Sequence, residues 1–101
     1  AETVFLNTNH PTTRTHMAMA GGARTYQQSN ERYNEIIREV AAGRDGVILN
    51  DVEQDWRQRI DAGASRLADM LLPDELHLSE AGHDAYLDFL SARVVSRMTS
   101  L

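Results

Sequence analysis

Val47-Ile48-Leu49-Asn50 is the stretch whose reading decides the fold. It is short, apolar and continuous, and it follows Gly43 and the turn Arg44-Asp45-Gly46. Upstream, residues 26–42 carry a helical period. Tyr26, Tyr33, Ile36, Ile37, Val40 and Ala41 recur on one face, and Glu31, Arg32, Glu35, Arg38 and Glu39 take the other. Thr25 or Ser29 can cap the start of such a helix, and Gly43 stands just past its end, where a left-handed residue is wanted. Further upstream, Thr3-Val4-Phe5-Leu6-Asn7 is a second run of the same apolar kind. Runs of this type suit strands buried on both faces, as in a parallel sheet. The order is therefore strand, helix, strand: a βαβ unit whose crossover is expected to be right-handed.

The loops at the C-terminal ends of such strands are where open α/β folds bind ligands. Residues 7–16 and 51–56 fall there, which makes Asn7, Asn9 and His10 candidate substrate-binding residues, with simple loop solvation as the plainer reading. Pro11 cannot continue a strand ladder. Residues 12–24 read as a long loop with one helical turn near residues 17–20, and Met17, Met19 and Met70 as packing. Residues 52–72 read as mostly helical, with Gly63 dividing the segment and Pro73 ending it. Ser79 is a good cap for a last helix over about 80–98, with Tyr86, Leu87, Phe89, Leu90, Val94 and Met98 on its inner face.

Composition narrows the classes. At 101 residues the chain is expected to be one domain. A net charge of −5 argues against nucleic acid as the main partner, because phosphates need a basic surface. No apolar run is long enough to span a membrane, and the first residues lack the pattern of a signal peptide. A soluble protein is expected, with secreted and cytoplasmic locations both open. With zero cysteines there are no disulfides and no thiolate metal sites. His10, His16, His77 and His83 show no metal-ligand spacing, so neither a metal nor an organic cofactor is expected.

The chemistry gathers in Pro73-Asp74-Glu75-Leu76-His77-Leu78-Ser79-Glu80-Ala81-Gly82-His83. An acid stands three residues before a histidine, in a Pro-led loop that runs into a helix. A tight turn would let Asp74 meet one ring nitrogen of His77 and leave the other for a hydroxyl. Such an acid holds the tautomer of a histidine base, and imidazole, with an ordinary pKa near 6.5, is suited to shuttling the proton.

The extended pattern Asp-x-x-His-Leu-Ser-x-x-Gly-His, followed by a helix with Tyr86 and placed after a βαβ unit, resembles the Asp-x-x-His block of the SGNH (GDSL-type) serine hydrolases. The resemblance covers essentially the whole chain, matched to the C-terminal half of such a domain. It implies a three-layer α/β/α, flavodoxin-like fold, with His77 as catalytic base and Asp74 as the acid of a Ser-His-Asp triad. It implies for Gly82 a small residue where the last helix starts beside the core. His83 matches a frequent non-catalytic position and reads as a structural histidine.

The family's Gly-Asp-Ser block, oxyanion glycine and Gly-x-Asn-Asp block have no match in this sequence. Asn50-Asp51 follows Val-Ile-Leu rather than Gly-x, so it is not equated with the last of these. Ser65 lacks a nucleophile elbow, and Ser29, Ser79, Ser91, Ser96 and Ser100 read as caps or helix surface. Asp51 rivals Asp74 for the acid, with a helix-start aspartate as the plainer reading, and Trp56 reads as core or lid before sugar platform.

Strand accounting points the same way. Two parallel strands do not make a stable sheet alone, so the chain either pairs with another chain or is the C-terminal part of a larger domain. Taken with the resemblance, this implies the C-terminal half of one hydrolase domain, with the nucleophile on an upstream segment or a companion chain. The expected substrate is an ester, an acylated carbohydrate or a short acyl ester, and the chain alone is expected to be inactive. The alternative is a binding or assembly module that keeps the half-fold without activity.

Overall fold

The computed structural model describes residues 3–15, 22 and 24–99, the last four of these by backbone alone. Six elements follow in order: β1 (Val4–Asn7), α1 (Tyr26–Ala42), β2 (Val47–Asn50), α2 (Val52–Asp61), α3 (Leu67–Met70) and α4 (Glu80–Thr99). The two strands pair in parallel, with Val4 opposite Val47 and Asn7 opposite Asn50. The chain is thus a small α/β unit built on a βαβ crossover. The helical turn expected near residues 17–20, together with His16, Met17 and Met19, lies outside the described residues, as does the side chain of Met98.

Local signals account for the bounds. Thr25 caps α1: its hydroxyl accepts from the Gln28 N–H, and the Gln28 side chain accepts from the Thr25 N–H, a reciprocal capping box. Asp51 caps α2 by accepting from the Gln54 N–H. Gly63, at φ 75°, turns the chain out of α2. Ser79 caps α4 through the Gly82 N–H.

The strands are less buried than their apolar sequence implies. Val4 is exposed and only Asn50 is fully buried in the pair, because two strands cannot cover one another's faces. The core lies instead between the later helices and their loops: Val52, Trp56, Met70, Leu71 and Ala85, with Leu67, Leu78, Tyr86, Phe89 and Leu90 packed against them. Leu87, placed on the inner face of α4 by its spacing, is 66% exposed, while Tyr86, Phe89 and Leu90 pack inward.

Helix α1 packs on both strands, but its buried residues are Gln27 and Asn34. Its apolar stripe is the open one: Tyr33 is 62% exposed, and Ile36 and Val40 are exposed as well. The polar residues turn inward because the loop after β1 needs partners for its backbone. Asn34 accepts from the Asn9 N–H at 2.7 Å and donates to the Asn9 carbonyl at 3.0 Å. Gln27 accepts from the Thr12 N–H at 2.9 Å.

Candidate active site

The segment from Met70 to Ser79 folds back on itself. Leu71 and Leu78 form an antiparallel bridge, the Leu72 N–H donates to the His77 carbonyl at 2.7 Å, and the Ser79 N–H donates to the Met70 carbonyl at 3.0 Å. Residues 73–76 form the tip. Glu75 sits there at φ 66°, in the left-handed region that few non-glycine residues adopt. That one residue reverses the chain tightly enough for Asp74 to reach forward. Its Oδ1 accepts from the N–H groups of Leu76 and His77, both at 2.9 Å.

The other carboxylate oxygen of Asp74, Oδ2, meets His77 Nδ1. A carboxylate only accepts, so Nδ1 donates, and in the neutral form of the ring the lone pair stands on Nε2. The His77 hydrogen bond, reinforced by the two backbone donors, holds the Asp74 carboxyl down at about 2. Asp74 therefore stays ionised under any ordinary condition. The His77 side chain is 72% exposed, open to an approaching group.

The first loop braces this tip. The Thr12 hydroxyl donates to the Glu75 carbonyl, the Thr13 hydroxyl to Glu75 Oε1 at 3.2 Å, and Arg14 Nε to the Asp74 carbonyl at 2.9 Å. The Arg14 guanidinium also lies 4.6 Å over the Tyr26 ring. None of Thr12, Thr13, Arg14 or Glu75 stands out in the sequence. Their only signal is position, just beyond a strand's C-terminal end or between the paired acid and histidine.

Between the two loops lies a cavity of about 620 Å³. Its walls include Asn9, His10, Ser29, His77 and His83 with several aromatic and aliphatic side chains. Asn9 and His10 thus share a cavity wall with His77. Asn7 does not: it accepts from Asn50 Nδ2 at 2.9 Å and lies outside the cavity wall. His10 donates through Nδ1 to the Pro11 carbonyl at 2.8 Å and stacks at 4.9 Å on Trp56. Trp56 itself is fully buried, which makes it core rather than a platform for a sugar. His83 is an exposed residue of α4 that lines the cavity, not one packed into the core.

Asp51 is committed elsewhere. Arg38 grips it through Nε at 2.8 Å and Nη2 at 3.0 Å, and the Thr8 hydroxyl donates to it at 3.0 Å. Burial pushes the Asp51 carboxyl up, but Arg38, the Gln54 N–H and Thr8 together hold it below the ordinary range. Arg38 Nη2 also bonds Glu53 at 2.8 Å. This cluster ties β1, α1 and α2 together and supplies no acid to a histidine. Gly82, in the first turn of α4, has no room for a side chain: a Cβ there would lie 2.0 Å from the Met70 carbonyl oxygen and 3.3 Å from Trp56.

Among the described residues no cluster of His, Cys, Asp and Glu could hold a metal ion, and no helix is long and apolar enough to cross a membrane. Compared with protein-family models, curated proteins and solved structures, the chain matches none.

Proposed function

We propose that this chain carries the acid–base half of a serine ester hydrolase of the SGNH type, within a three-layer flavodoxin-like domain completed by an upstream segment or a companion chain. The observation that carries the reading is the Asp74/His77 pair: an ionised carboxylate on Nδ1, an Nε2 with no hydrogen-bond partner among the described residues, and a cavity alongside. In the proposed reaction Nε2 takes the proton of a serine hydroxyl as its oxygen attacks the ester carbonyl. The imidazolium then returns that proton to the leaving alcohol. Water, deprotonated by the same nitrogen, cleaves the acyl-enzyme and releases the acid. Asp74 keeps the ring in one tautomer and offsets its transient charge.

The nucleophile is assigned to another segment because the serines nearest the dyad fit poorly. Ser79 Oγ is engaged as the α4 cap. Ser29 lines the cavity but stands in the first turn of α1, on no strand-to-helix elbow.

The test is hydrolysis of p-nitrophenyl acetate by the polypeptide that joins this chain to its nucleophile-bearing segment. His77→Ala should lower kcat/KM by about 100-fold or more. An unchanged rate would remove His77 from the reaction, and loss of activity in Ser29→Ala would place the nucleophile on this chain. No turnover of any ester by the completed protein would favour a binding or assembly module that keeps the half-fold.

A further inference from the structure

The cavity beside the dyad is specific in what it offers. Its 620 Å³ falls in the range of roughly 300–1,000 Å³ common to small-molecule sites. Among the described residues its lining contains no Asp, Glu, Lys or Arg, so the wall itself offers a charged group no carboxylate, ammonium or guanidinium to pair with. Much of its polar wall is engaged in holding the loop after β1. His10 Nδ1 donates to the Pro11 carbonyl, Asn30 Nδ2 to the His10 carbonyl at 2.9 Å, and the Thr12 hydroxyl to the Glu75 carbonyl.

Besides these, the side chains of Asn9, Ser29, His77 and His83 reach the wall, but most of the exposed lining is apolar, given by the rings of Tyr26 and Tyr33 and the side chains of Leu72, Leu76 and Leu78. Two of them are unusually open for their size: Tyr33 at 62% and Leu72 at 46% exposed. A sugar ring needs hydrogen-bond partners on most of its edges, more than so largely apolar a surface supplies. An alkyl chain needs none, and would cover this apolar surface.

We propose that this cavity binds the acyl portion of the substrate, and that it is suited to an uncharged alkyl chain longer than acetyl. The inference rests on the ester-hydrolase reading of His77, which it deepens by choosing acyl-chain esters over acetylated carbohydrates. His77 lies on the cavity wall, so a chain seated there can place its carbonyl end beside that ring.

Methyl n-alkyl ketones keep the carbonyl and chain of such an ester but cannot be hydrolysed, and their binding requires no nucleophile. Titration of the protein with 2-butanone, 2-hexanone, 2-octanone and 2-decanone, read by NMR at Tyr26, Tyr33 and Leu76, should show Kd falling about twofold to fourfold per added methylene. The fall should level off once the cavity is full. Leu72→Trp, at a half-open position that accepts a larger ring, should stop the gain at a shorter chain. Tyr33→Asp, a surface change on α1, should flatten the series by adding a charge to the wall.

A series that is flat in the unaltered protein overturns the inference, as does one that neither variant changes. Chain-length-dependent binding with no His77-dependent ester hydrolysis upholds the alkyl site and overturns the dyad's catalytic role. A flat ketone series beside His77-dependent hydrolysis does the reverse.

Discussion

Asp74 sets the acid limit of the dyad. Its carboxyl is held at about 2 against an ordinary 3.8, first by the His77 ring and then by two backbone N–H groups. The folded value lies below the unfolded one, so in that window the unfolded chain binds the extra proton. The contribution of Asp74 to stability is therefore complete above about pH 4 and disappears as pH falls through about 2. A ¹³C titration of the Asp74 carboxyl should give a midpoint near 2 in the native protein. The midpoint should return toward 3.8 in His77→Ala. A native midpoint near 3.8 would dissolve the pair.

Asp51 makes the contrast at the same scale. Both aspartates end apolar or Pro-led stretches, and the sequence alone leaves them rivals. What separates them is distant in sequence: Arg38 lies thirteen residues from Asp51 and occupies both of its oxygens, while Asp74 finds its partners within three residues. Asp51→Asn should leave hydrolysis by the completed protein nearly intact and reduce stability by about 1–2 kcal/mol, measured as a lower denaturation midpoint. The figure is kept modest because Arg38 is itself 37% exposed. Asp74→Asn should reduce the rate and lower the midpoint less than Asp51→Asn does, because the exposed Asp74/His77 pair is screened by solvent.

At the scale of elements, the seat of α4 fixes the dyad loop. The first turn of that helix lies directly on the Met70 carbonyl, which also accepts the Ser79 N–H, so helix and loop share one anchor. Gly82→Ala would drive a methyl into that oxygen. Backbone cannot yield as a flexible side chain can. The variant should lose at least about 1–3 kcal/mol and shift the NMR signals of His77 and Leu78, read in a melting curve and a ¹⁵N spectrum. A native-like spectrum with unchanged stability would mean that the helix start is free to move.

Element bounds were legible because their signals are local. Thr25 with Gln28, Asp51 with Gln54, Gly63 and Ser79 each act within a few residues. The Asp74/His77 contact was legible for the same reason. Which face of α1 is buried was not, since Gln27 and Asn34 turn inward to serve a loop 15 to 25 residues away. The bracing of the tip by Thr12, Thr13 and Arg14 was hidden likewise, at separations of 60 residues and more.

At the scale of the whole molecule, the two-stranded sheet is the open part. Among the described residues β1 pairs only with β2. The Val4 and Thr8 N–H groups donate to the Gly46 and Asn50 carbonyls. Strand alternation therefore turns the amides of Phe5 and Asn7 toward the other, unpaired edge. An edge with Val4 exposed, beside a helix whose Tyr33, Ile36 and Val40 are open, is a template for another strand. Hydrogen exchange separates the cases residue by residue. On this chain alone the Phe5 and Asn7 amides should exchange much faster than those of Leu6 and Thr8. If this chain is joined to the proposed nucleophile segment, they should become protected there, while Leu6 and Thr8 change little. Phe5 and Asn7 amides that stay fast in the joined polypeptide would mean that β1 is a true edge, and that the proposed serine would have to reach His77 without extending this sheet.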